Sequence, residues 1–127
     1  SSIEPGVKYG LCSHTHEDHC SYLYRQFHEG DNLLNLGGEP LWVLSYPKHS
    51  ATDCVIVFRG VAMVGDIELG TADTVTRPVE VDAATRRRSM AAYAGFEKRT
   101  GYRVHTVMSA HLNDFRENVD WESLFRV

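Results

Sequence analysis

Seven consecutive residues, Ser13-His14-Thr15-His16-Glu17-Asp18-His19, carry three histidines and two carboxylates. Imidazole nitrogens and carboxylate oxygens at this density are ligands for zinc, and also for manganese or iron. The order His-x-His-x-Asp-His supplies two ligand pairs, so a metal-dependent enzyme is the chemistry these residues point to.

Three further candidates lie downstream: His49, Asp66 and His111. Each falls just beyond an apolar run that reads as a strand. In layered α/β folds the loops at one sheet edge converge on one site, so the three are expected to meet the cluster. Asp66, behind Gly65, also suits an ordinary turn, and Asn113 and Asp114 are polar rivals of His111. His28 reads as structural, beside Glu29 and Gly30 at a helix end, where a cation complements the dipole. His105 reads as a structural strand residue. Cys12 and Cys20 flank the cluster and read as small packed residues. Tyr22, Trp42 and Tyr46 are candidates for lining a pocket, with core packing as the alternative.

The elements that must position these residues follow from the apolar pattern. Val7 to Cys12 is expected to be a strand delivering the cluster, and Cys20 to His28 a helix. Gly30-Asp31, Gly37-Gly38 and Pro40 read as turns. Leu41 to Tyr46 reads as a buried strand. Cys54 to Phe58 and Val61 to Val64 flank Arg59-Gly60 as a hairpin. Asp82 is a good N-cap for a helix running to about Thr100, and Gly101 suits the position that ends it. Met90, Tyr93, Ala94 and Glu97 lie on one stripe of that helix. Tyr102 to Met108 reads as a strand, and Asp120 to Phe125 as a short terminal helix. This order predicts an α/β layered domain.

Composition narrows the class. The chain has 127 residues, enough for one domain with its own core, so residues 1–127 are read as a single domain. A formal charge of −4 argues against non-specific nucleic-acid binding. Arg86, Arg87 and Arg88 are expected to be a solvated helix face. Three cysteines, Cys12, Cys20 and Cys54, do not make a disulfide framework. Free thiols in a reducing, cytoplasmic setting are expected. No apolar run approaches the ~20 residues of a membrane span, and Ser1 to Gly6 shows no signal pattern.

His14-x-His16-x-Asp18-His19, His49-Ser50, the strand ending Val64-Gly65-Asp66 and the segment Ser109-Ala110-His111 together resemble the metallo-β-lactamase superfamily. The resemblance covers most of residues 7 to 115. It implies an αββα sandwich and a dinuclear centre, most simply two zinc ions, with iron or manganese as alternatives. His14, His16 and His49 would hold one metal, Asp18, His19 and His111 the second, and Asp66 would bridge them, with Asp18 and Asp66 as the catalytic carboxylates. It further implies a hydrolase using a metal-bridging hydroxide on a small ester, thioester or lactone. The competing readings are a mononuclear iron redox enzyme on the same scaffold and a non-catalytic, metal-stabilised interaction domain. The family normally places several strands before the first motif, whereas thirteen residues precede His14. The first strands are therefore expected to be missing from a truncated chain or supplied elsewhere, for instance by a homo-oligomer covering the sheet edge.

Overall fold

The computed structural model describes residues 27–110 and 114–127. The expected strand Val7–Cys12, most of the expected helix Cys20–His28, and the candidates His14, His16, Asp18, His19 and His111 lie outside the described residues. The elements are β1 (Gly30–Leu36), β2 (Glu39–Ser45), β3 (Val55–Phe58), β4 (Val61–Gly65), α1 (Ala83–Ala94), α2 (Phe96–Thr100), β5 (Thr106–Ser109), β6 (Phe115–Glu117) and α3 (Trp121–Leu124).

The six strands form one mixed sheet in chain order, antiparallel throughout except for the parallel pair β4–β5. Gly37 and Gly38 close the β1–β2 hairpin at φ 61° and 94°. Two positive φ values in succession give the turn whose twist matches its strands. Arg59 and Gly60 do the same between β3 and β4 at φ 50° and 76°. Arg59 is steadied there by a bidentate ion pair with Glu39.

Alternation along the strands gives the sheet two apolar faces. Trp42, Leu44, Val55, Val57, Ala62, Val64 and Val107 belong to one face and pack with Met90, Tyr93, Phe96, Trp121 and Phe125 of the helical layer. The aromatics of this core meet mostly edge-on, as Trp42 does Phe96 at 5.4 Å between ring centroids. On the opposite face, Val43, Ile56, Met63, Met108 and Phe115 are successive cross-strand partners from β2 to β6. Leu41, Val43 and Cys54 are buried there, while Met63, Met108 and Phe115 are exposed. The architecture is therefore α/β, and among the described residues the helices lie on one side of a mixed sheet.

Several sequence expectations change in detail. The stretch read as turns at Gly30-Asp31 is the start of β1, and the Leu41–Tyr46 strand begins earlier, at Glu39. The helix predicted from Asp82 to Thr100 is two helices that meet at Gly95. Its end signals hold: Asp82 Oδ1 accepts from Thr85 N at 2.8 Å, and Gly101 is left-handed at φ 74°. The Tyr102–Met108 strand shortens to Thr106–Ser109 because the preceding residues serve other contacts. Tyr102 Oη accepts from Gly60 N, and Val104 N donates to Glu97. Strand β6 was not foreseen. Of the three consecutive arginines, Arg87 and Arg88 are exposed as expected, but Arg86 is half-buried. Its guanidinium bonds the carbonyls of Ala72 and Val81 and so pins the 66–82 loop against α1.

Candidate functional site

Strands β2, β4 and β5 run in one direction, because β2 and β4 are each antiparallel to β3 and β5 is parallel to β4. Their C-terminal ends share one sheet edge, and the loops carrying His49 and Asp66 leave from that edge. Ala110 N donates to Gly65 O at 2.9 Å, so the end of β5 is tied to the residue before Asp66.

The loop after β2 is built on Asp53. Its Oδ2 accepts the backbone N–H groups of Lys48, His49 and Ser50 at 3.0, 2.5 and 3.0 Å, and its Oδ1 accepts Ser50 Oγ at 2.9 Å. Burial pushes the Asp53 carboxyl upward, against these four bonds, which favour its charged form. A single side chain thus fixes the backbone on both sides of His49.

The His49 ring is buried against the loop after β4. Its Nε2 lies 3.6 Å from Asp66 Oδ2. Its Nδ1 lies 3.4 Å from Glu68 Oε1. Thr76 Oγ1 donates to His49 O at 2.6 Å and lies 3.0 and 3.3 Å from Nδ1 and Nε2. Near-equal distances to both nitrogens place that hydroxyl beside the ring rather than along either N–H direction. Glu68 also accepts Val75 N at 3.0 Å and Thr74 Oγ1 at 3.2 Å. Its other oxygen receives Lys48 Nζ at 2.6 Å, and the same ammonium bonds the carbonyl of Asp73. Burial pushes the Glu68 carboxyl up, but Lys48 and the Val75 N–H outweigh it and hold it down at about 2. Burial pushes the Lys48 ammonium down, against the pull of Glu68.

These groups form one wall of a cleft of about 390 Å³. His49, Asp66 and Glu68 supply its polar side, and Ile67, Leu69 and Val75 its apolar side. Ser109, Asp114 and Arg116 also line it among the described residues, with Arg116 held by Asp114 at 2.8 Å.

The structure thus brings together His49 and Asp66, two of the sequence candidates. The other five lie outside the described residues. Among the described residues no group of three or more His, Cys, Asp and Glu side chains is arranged to hold one ion. His105 stands apart, with Nε2 3.2 Å from Arg59 O and Nδ1 2.8 Å from Thr106 Oγ1. Tyr46 and Trp42 pack into the core rather than line the cleft. Sequence reasoning missed Lys48, Asp53, Glu68 and Thr76. Ser50-x-x-Asp53 is a local pattern that signals a side chain capping a turn, whereas Lys48 and Glu68 carry no such signal.

The donor chemistry can be checked against a metal. An N–H···O hydrogen bond spans roughly 2.7–3.2 Å. Nitrogen and oxygen ligands of one tetrahedral zinc, with bonds of roughly 2.0–2.2 Å, lie about 3.4 Å apart. The 3.6 Å between His49 Nε2 and Asp66 Oδ2 is nearer the second value. The pair fits two ligands sharing a cation.

No family model matches the chain, and no curated protein matches it. In fold it is similar to a solved metallo-beta-lactamase family protein from Thermus thermophilus, with a TM-score of 0.51 at 18% identity. The match covers 78% of this chain and 32% of that one, so the chain spans about a third of that protein's length. Among the described residues no helix is long and apolar enough to cross a membrane. The chain therefore has an α/β scaffold arranged like part of a metallo-beta-lactamase family protein, with a histidine and an aspartate paired at one edge of its sheet.

Proposed function

We propose that the chain carries the site of a metal-dependent hydrolase acting on a small ester, thioester or lactone. The observation that supports this best is the His49–Asp66 pair, 3.6 Å apart on the wall of a cleft. In this reading His14, His16 and His49 would hold one zinc, Asp18, His19 and His111 would hold a second, and Asp66 would contribute to both. Bound zinc would supply Lewis acidity and make solvent nucleophilic near neutral pH.

The chain's own residues supply binding and orientation. His49 presents Nε2 toward Asp66 because its backbone is fixed by Asp53 and its Nδ1 faces Glu68. Ile67, Leu69 and Val75 offer an apolar surface for an acyl or ring portion of the substrate. The cleft, at about 390 Å³, falls within the roughly 300–1,000 Å³ of small-molecule sites. The formal charge of −4 favours a small substrate over a nucleic acid. The apolar second face of the sheet suits a further packed layer, as in an αββα sandwich, supplied within a larger protein or by a second copy.

Metal analysis of the purified protein, with hydrolysis of an ester, thioester and lactone panel before and after chelation, tests the reading. Zinc-dependent hydrolysis restored by added zinc is expected. Hydrolysis that persists in protein shown to be metal-free would refute it.

A further inference from the structure

We infer that Lys48 and Glu68 are a positioning pair for the site: the Lys48 ammonium holds the Glu68 carboxylate, and that carboxylate sets the orientation of the His49 ring. The inference rests on the proposed metal site and adds residues to it that the sequence motifs do not contain.

Lys48 is fully buried, a rare state for a lysine. Taking an ammonium and a carboxylate out of water is costly, and an apolar pair of similar volume would serve a purely structural purpose at least as well. What the charges do here is directional. Lys48 Nζ engages Glu68 Oε2 at 2.6 Å, which leaves Oε1 directed at Val75 N, Thr74 Oγ1 and His49 Nδ1. Two carboxylates flank the ring, and Glu68 Oε1 at 3.4 Å from Nδ1 lies nearer than Asp66 Oδ2 at 3.6 Å from Nε2; a carboxylate accepts only, so the nearer contact favours a proton on Nδ1. The Nε2 lone pair then points to the side where Asp66 Oδ2 stands 3.6 Å away. Metal-binding histidines commonly donate their second ring nitrogen to a carboxylate in this way, and that contact raises their basicity. Asp53 and Thr76 fix the backbone of His49, and Glu68 is the carboxylate that faces Nδ1 as the ring turns.

Lys48 also bonds the Asp73 carbonyl, so the pair staples the loop as well. The experiment must separate stapling from orientation. Zinc affinity is measured by competition with a chromophoric chelator on the full chain, its Lys48→Met and Glu68→Gln variants, and the double variant K48M/E68L. Thermal unfolding of each metal-free protein is followed in parallel, and the His49 tautomer is read from its ring ¹⁵N shifts. Zinc affinity is expected to fall about 10- to 100-fold in K48M and in the double variant. The double variant, whose pair is apolar, gives up the bonds to the Asp73 carbonyl, the Val75 N–H and the Thr74 hydroxyl along with the two charges, so it is expected to stay folded with a lowered unfolding temperature and to lose the preference for Nδ1–H. E68Q keeps an acceptor oxygen for Nδ1 and is expected to lose less affinity than K48M/E68L. If K48M does not fold, the double variant and E68Q decide by the same comparison. A folded double variant with wild-type zinc affinity and an unchanged His49 tautomer would overturn the inference and leave the metal site standing. Absence of zinc binding by the wild-type chain would overturn both.

Discussion

Asp53 offers the sharpest test of how the His49 loop is built, because two substitutions there should differ widely in cost. The carboxylate is 2% exposed and accepts three backbone N–H groups and one hydroxyl. Asp53→Ala strands all four donors. A buried donor left unsatisfied costs about 1–3 kcal/mol, and partial relaxation toward solvent brings the expected total to about 3–5 kcal/mol. Asp53→Asn can place its carbonyl oxygen where Oδ2 sits and keep the three N–H bonds. Its amide then faces Ser50 Oγ, which can accept. Only the charge assistance is lost, and because burial already pushes the Asp53 carboxyl upward, removing the charge also removes a desolvation penalty. The expected cost of the asparagine is about 1 kcal/mol. Urea unfolding followed by circular dichroism, with linear extrapolation, measures both. Equal destabilisation by the two variants would show that Asp53 acts through its charge, and the hydrogen-bond account of the loop would be wrong.

Other perturbations reach different parts of the molecule. His49→Ala and Asp66→Ala should each lower zinc content and affinity, measured by elemental analysis after dialysis; a variant with wild-type content would remove its residue from the site. Gly60→Ala should destabilise by about 2 kcal/mol, since φ is 76° and a Cβ there would collide with the His105 ring. In a double-mutant cycle with His105→Ala, part of that cost, about 1 kcal/mol, should be relieved; an additive cycle would contradict the contact. Burial and the Asp31 carboxylate raise the Tyr46 hydroxyl from 10.0 to about 12. The fold therefore favours its protonated form, so this stabilisation is complete below about pH 10 and fades as pH rises toward 12. The stability difference between wild type and Tyr46→Phe should shrink over that interval, and a flat difference would refute the assignment.

What the sequence revealed followed the range of each signal. The helix ends were legible because Asp82 and Gly101 act within one turn of themselves. The β3–β4 hairpin was legible because Arg59-Gly60 sits between two apolar runs. Strand β1 was hidden by polar residues that bond both their own neighbours and distant parts of the chain. Asn32 Nδ2 bonds the carbonyls of His28, Gly30 and Val43, while Asp31 receives Tyr46 Oη and Arg99. Read locally, Gly30-Asp31-Asn32 is a turn; paired with β2 it is a strand. At the site, His49 and Asp66 stood out by type and by position after apolar runs. Lys48 did not, because an isolated lysine reads as solvated, and the acceptor that makes burial tolerable is twenty residues away in Glu68.

Strand direction is what joins separate motifs into one site, and here it follows from connection length. The tight turn at Arg59-Gly60 makes β4 antiparallel to β3, and the 46–54 loop returns the chain antiparallel from β2 to β3. β2 and β4 flank β3 and must therefore run the same way, which brings Lys48 and His49 to the edge where Asp66 and Glu68 emerge. A tight turn after β4 would have reversed β5 as well and sent Ser109 to the opposite edge. That is about 13 Å away for a four-residue strand. A parallel return needs a dozen residues or more, and the 66–82 loop with α1 and α2 supplies them. Those helices place no side chain in the cleft. Their contribution to the site is to return the chain in the right direction, so that Ala110 bonds Gly65 beside Asp66. The cap at Asp82 and the left-handed stop at Gly101, both far from the cleft, thus belong to the same causal chain as His49 and Asp66.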